Sequence, residues 1–589
     1  MVPETSPSAI AQPAVPPRTS RPGLETSAAL AGTALVAAWL LLTSFNAGPL
    51  WRDETNSINV ANMPSLKELW NNLPFESFPP LWLLLLRVWS WVGMAESDAG
   101  IRILGLFVGL AFLGSLWLCT RWFRGHAPML SLALLGSLPA FINTVGANRA
   151  YGLAMGLLVL TFGMIWRLLE SPSRFRIILA GLASLLFVHC VYYDAVFLCA
   201  MLAGAAAVTM RRGQWRIFAV LVGIGTVAGL SMAIYLPVVR QTSLYARMVQ
   251  VPLFSFATVW EKFNEAVALQ SSAHWGSSAG PEVWVWISIL LAGIALALAM
   301  QFRRGRSARA SEAQPAAIPA ADASSLRADL ALFSGLSMFC GLAGYLCFLL
   351  KLHFPTQPWY YMGLFTLCTL SLDGVLTAGW PVLRPWGLLR IAFMAVMMVW
   401  GARATWEEVH TRRSNLDLIA AVIENQASEG DLVAVQSMWE GITFDRYYHG
   451  RAKWVTVPPI SSHKVHRTDL AWAELSQPDA MASVLREISN TLRSGKRVWV
   501  VGDVAVLDKL PAPPPSPPHP QTGWYLAPYY RFWTAQLGAH LVRSAVQTRT
   551  LKLPLTMAVN AREDLSLTQF SGYRQGAEQP IPQQPTEPR

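Results

Sequence analysis

Eleven apolar runs, each close to the roughly 20 residues a helix needs to cross a bilayer, dominate the first 400 residues and constrain the fold more than any other feature. They are Ala28–Phe45, Ile103–Cys119, Ala127–Val145, Tyr151–Trp166, Ile177–Val191, Ala195–Met210, Ile217–Val239, Val283–Met300, Leu330–Leu350, Trp359–Leu372 and Pro385–Trp400. Only 14% of the 589 residues are charged, against about 25% in soluble chains. A soluble enzyme is excluded. The expected fold class is an α-helical polytopic membrane protein of about eleven transmembrane helices, with a small carboxy-terminal α/β soluble domain. Pro80–Val92 is shorter and carries Arg87, which suits a helix lying in the interface.

The net charge of +11 could point to nucleic acid, but a DNA binder masses its Lys and Arg on one polar face. Here the basic residues fall between apolar runs and read as topology. Alternate loops hold fourteen Arg, among them Arg121, Arg174, Arg212, Arg303 and Arg384, while the opposite, longer loops hold nine Lys and Arg. Cytoplasmic loops are the Lys- and Arg-rich ones. That places the amino terminus in the cytoplasm and the carboxy-terminal domain outside, in a plasma (inner) membrane protein. The first run lies too deep for a signal peptide and is expected as an uncleaved span.

Residues 1–27, rich in Pro, Ser, Thr and Ala, are expected as a disordered tail, and 576–589 as another. Between them come a membrane domain over 28–403, with an outer loop at 46–100, and an extracytoplasmic α/β domain over 404–575. In the latter, Asn415–Asn425 has helical apolar spacing and leads into the short run Leu432–Val435; Met481–Leu492 leads likewise into Val498–Val501. Two helix–turn–strand units predict a partly parallel sheet. Pro511–Pro520 predicts a PPII-like loop. Six cysteines sit in or beside apolar runs with no CxxC pair, so neither a disulfide framework nor a zinc cluster is indicated.

Four polar constellations fall on the outer face. Asp53 and Glu54 follow the first run. They read as interfacial charge capping a helix, or as a general base or metal ligand tuned by partial desolvation beside Arg52. Arg149 and Tyr151 stand in the loop Ala147-Asn148-Arg149-Ala150-Tyr151, where the Arg either snorkels or meets an anion. His189, Tyr192, Tyr193 and Asp194 share one turn, as structural groups or as part of a polar site. Lys351 and His353 open the stretch Lys351–Tyr361, whose Trp359, Tyr360 and Tyr361 also suit an aromatic belt. In the outer domain Trp439, Tyr447 and Tyr448 are candidates for acceptor recognition, a purely structural role being the alternative.

The order of these features resembles the GT-C glycosyltransferases: an outer loop opening on Asp53-Glu54, a helix led by Pro79-Pro80-Leu81-Trp82, the run Ile101-Arg102-Ile103-Leu104, an Arg-x-Tyr loop, then His with Tyr-Tyr. Within them the chain is similar to glycosyltransferase family 39 and its bacterial relatives, which include protein O-mannosyltransferases and aminoarabinose transferases acting on lipid A. Relatives carry Glu-Ala-Arg-Pro-Tyr where this chain has Ala147–Tyr151, and His-Pro-Pro where it has Phe78-Pro79-Pro80. The resemblance implies transfer of a sugar from a polyprenyl-phosphate donor to a lipid, glycan or protein acceptor of the cell envelope, by one inverting in-line displacement. It implies Asp53 as base with Glu54 orienting, donor phosphate held by Arg149, Lys351 and His353, and substrate contacts from Tyr151, His189, Tyr192, Tyr193 and Asp194. A divalent metal, if one takes part, would fall to Asp53 and Glu54. A transporter or flippase for lipid-linked sugars would instead set charges at mid-depth, where only Asp373 stands; a non-catalytic envelope scaffold would tolerate loss of Asp53 and Arg149 together.

Overall fold

A computed structural model describes residues 23–575 apart from 126, 250–254, 275, 277–279, 312–317, 354–355, 380–382, 384–385 and 508–509, and leaves the side chains of 303–324 aside. Most of the expected amino-terminal tail, all of the carboxy-terminal tail, and the side chains of Arg303 and Arg384 lie outside the described residues. Among the described residues nine helices are long and apolar enough to span a membrane: Leu24–Asn46, Asp98–Trp122, Ala150–Glu170, Asp194–Arg211, Trp215–Val249, Glu282–Phe302, Ser325–Leu352, Pro358–Ala378 and Gly387–Val409. The chain is an integral membrane protein. Large apolar side chains such as Phe45, Phe107, Val227, Leu298 and Val399 stay exposed on these helices, as lipid-facing positions must.

Two of the eleven expected spans are corrected. Ala127–Val145 divides at Leu138-Pro139 into Met129–Gly136 and Pro139–Val145, both wholly buried. Proline lacks the N–H that would continue the first helix and fits the first turn of the next. Ile177–Val191 forms only Arg174–Val188, 15 residues long, started by the Ser173 hydroxyl, which accepts the Arg176 N–H at 3.3 Å. Gly136, whose added Cβ would stand 2.7 Å from Met398 and Val36, lets the broken segment pack between the first and last spans. Pro80–Val92 forms the short apolar helix Leu81–Trp91.

Beyond Val409 the chain builds a five-stranded sheet in the order β3 (Lys453–Thr456), β2 (Leu432–Val435), β4 (Val498–Val501), β7 (Leu567–Tyr573), β5 (Ala545–Leu551). The first three strands are parallel and the last two join antiparallel. β2 and β4 are buried along their whole length, as strands covered on both faces require. Helices Leu416–Gln426 and Ala482–Arg493 precede them, so both helix–turn–strand units form as expected. A separate two-stranded ribbon pairs β1 (Thr411–Arg412) with β6 (Ala558–Val559). All six cysteines are free thiols.

Candidate active site

The first span ends at Asn46, and Gly48, at φ +66°, turns the chain into the helix Arg52–Ala61, which carries Asp53 and Glu54 in its first turn. Carboxylates are favoured there by the unpaired amides and the positive end of the helix. The two acids face opposite ways. Asp53 opens on a cavity of about 260 Å³ between the spans and the carboxy-terminal domain. Glu54, fully buried, turns inward: it accepts from Arg102 Nη1 at 2.8 and 3.0 Å, from the Asn148 N–H at 2.9 Å and from the Trp51 N–H at 3.4 Å. Through Asn148 it fixes the loop that carries Arg149. Glu54 therefore does not line the cavity, and its contacts hold the loop.

Arg149 caps the span Ala150–Glu170 and is 4% exposed. Its Nη1 donates to the Asp53 carbonyl at 2.7 Å, to Ser57 Oγ at 2.8 Å and to Glu76 Oε1 at 3.0 Å, and its Nη2 stands 3.8 Å from Asp53 Oδ2. The guanidinium lies 4.4 Å over the ring of Phe78, which serves as its platform. Burial opposes its charge, but Glu76 and Asp53 raise its pKa above the ordinary arginine value.

Glu76 was not legible as a site residue. It is 3% exposed and gathers Asn56 Nδ2 at 3.0 Å and Ser57 Oγ at 2.7 Å besides Arg149; an acid just ahead of the Pro79-Pro80 helix is the signal that marks it. Asp53 meets Arg52 Nε at 3.6 Å and His466 Nε2 at 3.3 Å. Burial works against ionisation of Asp53, yet Arg149, His466 and Arg52 outweigh it and hold the carboxyl well below the usual range.

The carboxy-terminal domain contributes Trp439, His466, Thr468 and Arg562 to the cavity lining, beside Tyr245, Trp359 and Tyr360. Arg562 lies 5.2 Å over the ring of Trp359, and burial together with the Arg52 charge brings it down to about 10. Behind it, burial pushes the Glu563 carboxyl up to about 8, against the pull of Arg52, whose backbone N–H it accepts at 2.9 Å.

Other expected site residues fall elsewhere. Lys351 and His353 are exposed where the helix Ile318–Leu352 ends and do not line the cavity; Phe354 and Pro355 lie outside the described residues. His189 bonds Tyr235 Oη at 2.5 Å and Ser231 Oγ at 3.1 Å, and Asp194 accepts the Val191 N–H at 3.1 Å; both brace the turn between helices. Tyr192 packs edge-on against Tyr235 at 5.9 Å. Tyr193 and Tyr151 stand behind the cavity wall, with ring centres 6.3 and 6.1 Å from Tyr360. Of the acceptor candidates, Trp439 lines the cavity, whereas Tyr447 donates to Asp98 at 2.5 Å and Tyr448 to the Ala452 carbonyl at 3.1 Å.

The donor set does not suit a divalent cation. Among the described residues no three His, Cys, Asp or Glu side chains converge; Glu54 is turned to Arg102, and Asp53 faces two guanidinium groups. Asp373, at mid-span, accepts the Leu130 and Ser131 N–H groups at 3.0 and 3.1 Å, which anchors the broken segment described above.

No family model matches the chain, and no curated protein matches it. Eighteen chains of solved structures match. Among them are ArnT from Cupriavidus metallidurans in the apo state and bound to undecaprenyl phosphate, each 14% identical over 80% of this chain and 92% of that one, with TM-scores of 0.34 and 0.33. At that degree of superposition no residue role is carried across.

Proposed function

We propose that this chain is an inner-membrane glycosyltransferase that moves a sugar from a polyprenyl phosphate to an envelope acceptor on the extracytoplasmic face, by one inverting displacement. The observation that carries the reading is the pairing of Arg149 with Asp53 in an aromatic-walled cavity where the spans meet the outer domain. A phosphate leaving group needs its developing charge stabilised more than it needs an acid. Arg149 is buried and pre-organised for that task, with Arg52 and Arg562 lining the same cavity. Aromatic faces from Tyr245, Trp359, Tyr360 and Trp439 suit a sugar ring, and the acceptor hydroxyl meets the Asp53–His466 pair, which removes its proton. The arginine-rich loops support a cytoplasmic amino terminus.

Membranes containing the full chain, incubated with a panel of labelled polyprenyl-phosphate sugars, test the reading. Wild type is expected to label one class of envelope acceptor and Asp53→Asn to lose that labelling. Equal labelling by both would sink the assignment of this cavity.

A further inference from the structure

The Asp53 carboxylate is the obvious destination for the acceptor proton, but its surroundings oppose that role. Arg149, Arg52 and His466 all stand within 3.8 Å of it, and a carboxylate stabilised in this way is a weak base. The imidazole beside it is held for the task. The His466 backbone N–H donates to Asn56 Oδ1 at 2.8 Å, its ring packs edge-on against Trp439 at 5.8 Å, and its Nε2 meets Asp53 Oδ1 at 3.3 Å. An ionised carboxylate can only accept, so Nε2 carries the hydrogen, and in the neutral ring Nδ1 is the nitrogen with the free lone pair. Among the described residues Nδ1 has no hydrogen-bond partner, and the side chain is 18% exposed in the cavity it lines.

We propose that His466, supplied by the outer domain some 400 residues along the chain from Asp53, takes the acceptor proton, and that Asp53 is the positioning residue that fixes its tautomer and stabilises the imidazolium. The proposal rests on the transfer reading above. The acceptor oxygen bonds to the anomeric carbon as that carbon's bond to the phosphate oxygen breaks. The bonding pair leaves on the polyprenyl phosphate, and the proton passes to His466 Nδ1, to be released to water with the products. The division of labour follows the logic of an imidazole oriented by a buried acid.

The charged and titratable groups facing His466 are Asp53 and Arg52 from one helix, Glu76 and Arg149 from the adjoining loops, and Tyr245, Tyr360 and Arg562 across the cavity. On its own segment are Lys464 and the ion pair of Arg467 with Asp469 at 2.6 Å.

The test uses the full chain in membranes and undecaprenyl phosphate carrying radiolabelled mannose, glucose, galactose or a pentose in turn, the transferred sugar then being kept. His466→Gln retains an N–H for Asp53 but has no titrating base. It is expected to lower the rate at saturating donor by about 10²- to 10⁴-fold and to abolish the acidic limb of the pH–rate profile. His466→Ala is expected to regain rate when imidazole is added, as a merely structural histidine would not. A His466→Gln enzyme within threefold of wild type, or one slowed with the acidic limb intact, overturns the proposal, as does a His466→Ala enzyme that imidazole does not quicken. Arg149→Ala measured alongside separates the two levels: if it transfers normally the transfer reading itself fails, whereas an inactive Arg149→Ala beside a fully active His466→Gln removes only the histidine.

Discussion

Arg149 and Asp53 are joined twice, once through the Asp53 carbonyl at 2.7 Å and once across 3.8 Å between guanidinium and carboxylate. The first contact fixes the arginine to backbone, so the second cannot be adjusted without moving the helix Arg52–Ala61. Arg149→Lys keeps the charge and loses the fork that meets Ser57, Glu76 and Asp53 together. Transfer at saturating donor is expected to fall by about 10²- to 10³-fold, with less than tenfold change in donor KM. A Lys variant at wild-type rate would show that charge alone suffices.

Glu54 and Arg102 make an ion pair whose side chains are 0% and 6% exposed. Removing one partner strands the other's charge in an apolar setting, at a cost of about 3–5 kcal/mol. Glu54→Ala is therefore expected to lower the melting temperature in detergent and the yield of folded protein. Glu54→Leu combined with Arg102→Met should recover part of that loss. A double variant no better than the single one would mean that the Asn148 contact, and not the stranded charge, sets the cost.

Glu563 gives a pH dependence of stability. Its folded-state pKa of about 8 lies above the ordinary value of 4.5, so between those values the folded chain binds more protons than the unfolded one. Its stabilising contribution is complete below about pH 4.5 and is lost as pH rises through 8. Glu563→Gln keeps an acceptor for the Arg52 N–H. Its melting temperature is expected to exceed that of wild type at pH 8.5 and to approach it at pH 5, read by thermal unfolding across that range.

Gly105 lies on the second span where it meets the loop before Arg149; an added Cβ would stand 2.2 Å from the Gly146 carbonyl and 3.3 Å from Asn148 Oδ1. Backbone cannot yield as a side-chain tip can. Gly105→Ala should displace the loop and reduce transfer by about 10²-fold through misplacement of Arg149, although it touches no substrate. Gly114, with nothing within 4 Å of its added Cβ, is the control whose alanine variant keeps full activity.

How far the sequence discloses this molecule depends on the kind of contact. Period and length revealed the spans and both helix–turn–strand units, since each is a local pattern read against lipid or a sheet. Hydropathy could not separate Ala127–Val145 from a true span, because protein neighbours bury a broken helix in the same apolar residues that lipid would. Pro139 was the local sign of the break. Asp53 and Arg149 were legible because charge beside an apolar run is costly and therefore conspicuous. Sidedness alone also suggested His189, Lys351 and His353, but a shared side does not bring residues together, and none of the three lines the cavity. His466, Arg562 and Glu76 belong to irregular segments with no period, and only the folding of the carboxy-terminal domain over the helix Arg52–Ala61 brings the first two to the cavity of Asp53.

The ribbon of Thr411–Arg412 with Ala558–Val559 ties together the points where the chain leaves the last span and where it returns from the sheet. The carboxy-terminal domain is thus moored at its entry and again ahead of its last strand, and cannot swing as a flap on a single hinge. It is a standing wall of the chamber, whose shape is set by the same contacts that hold the domain in place.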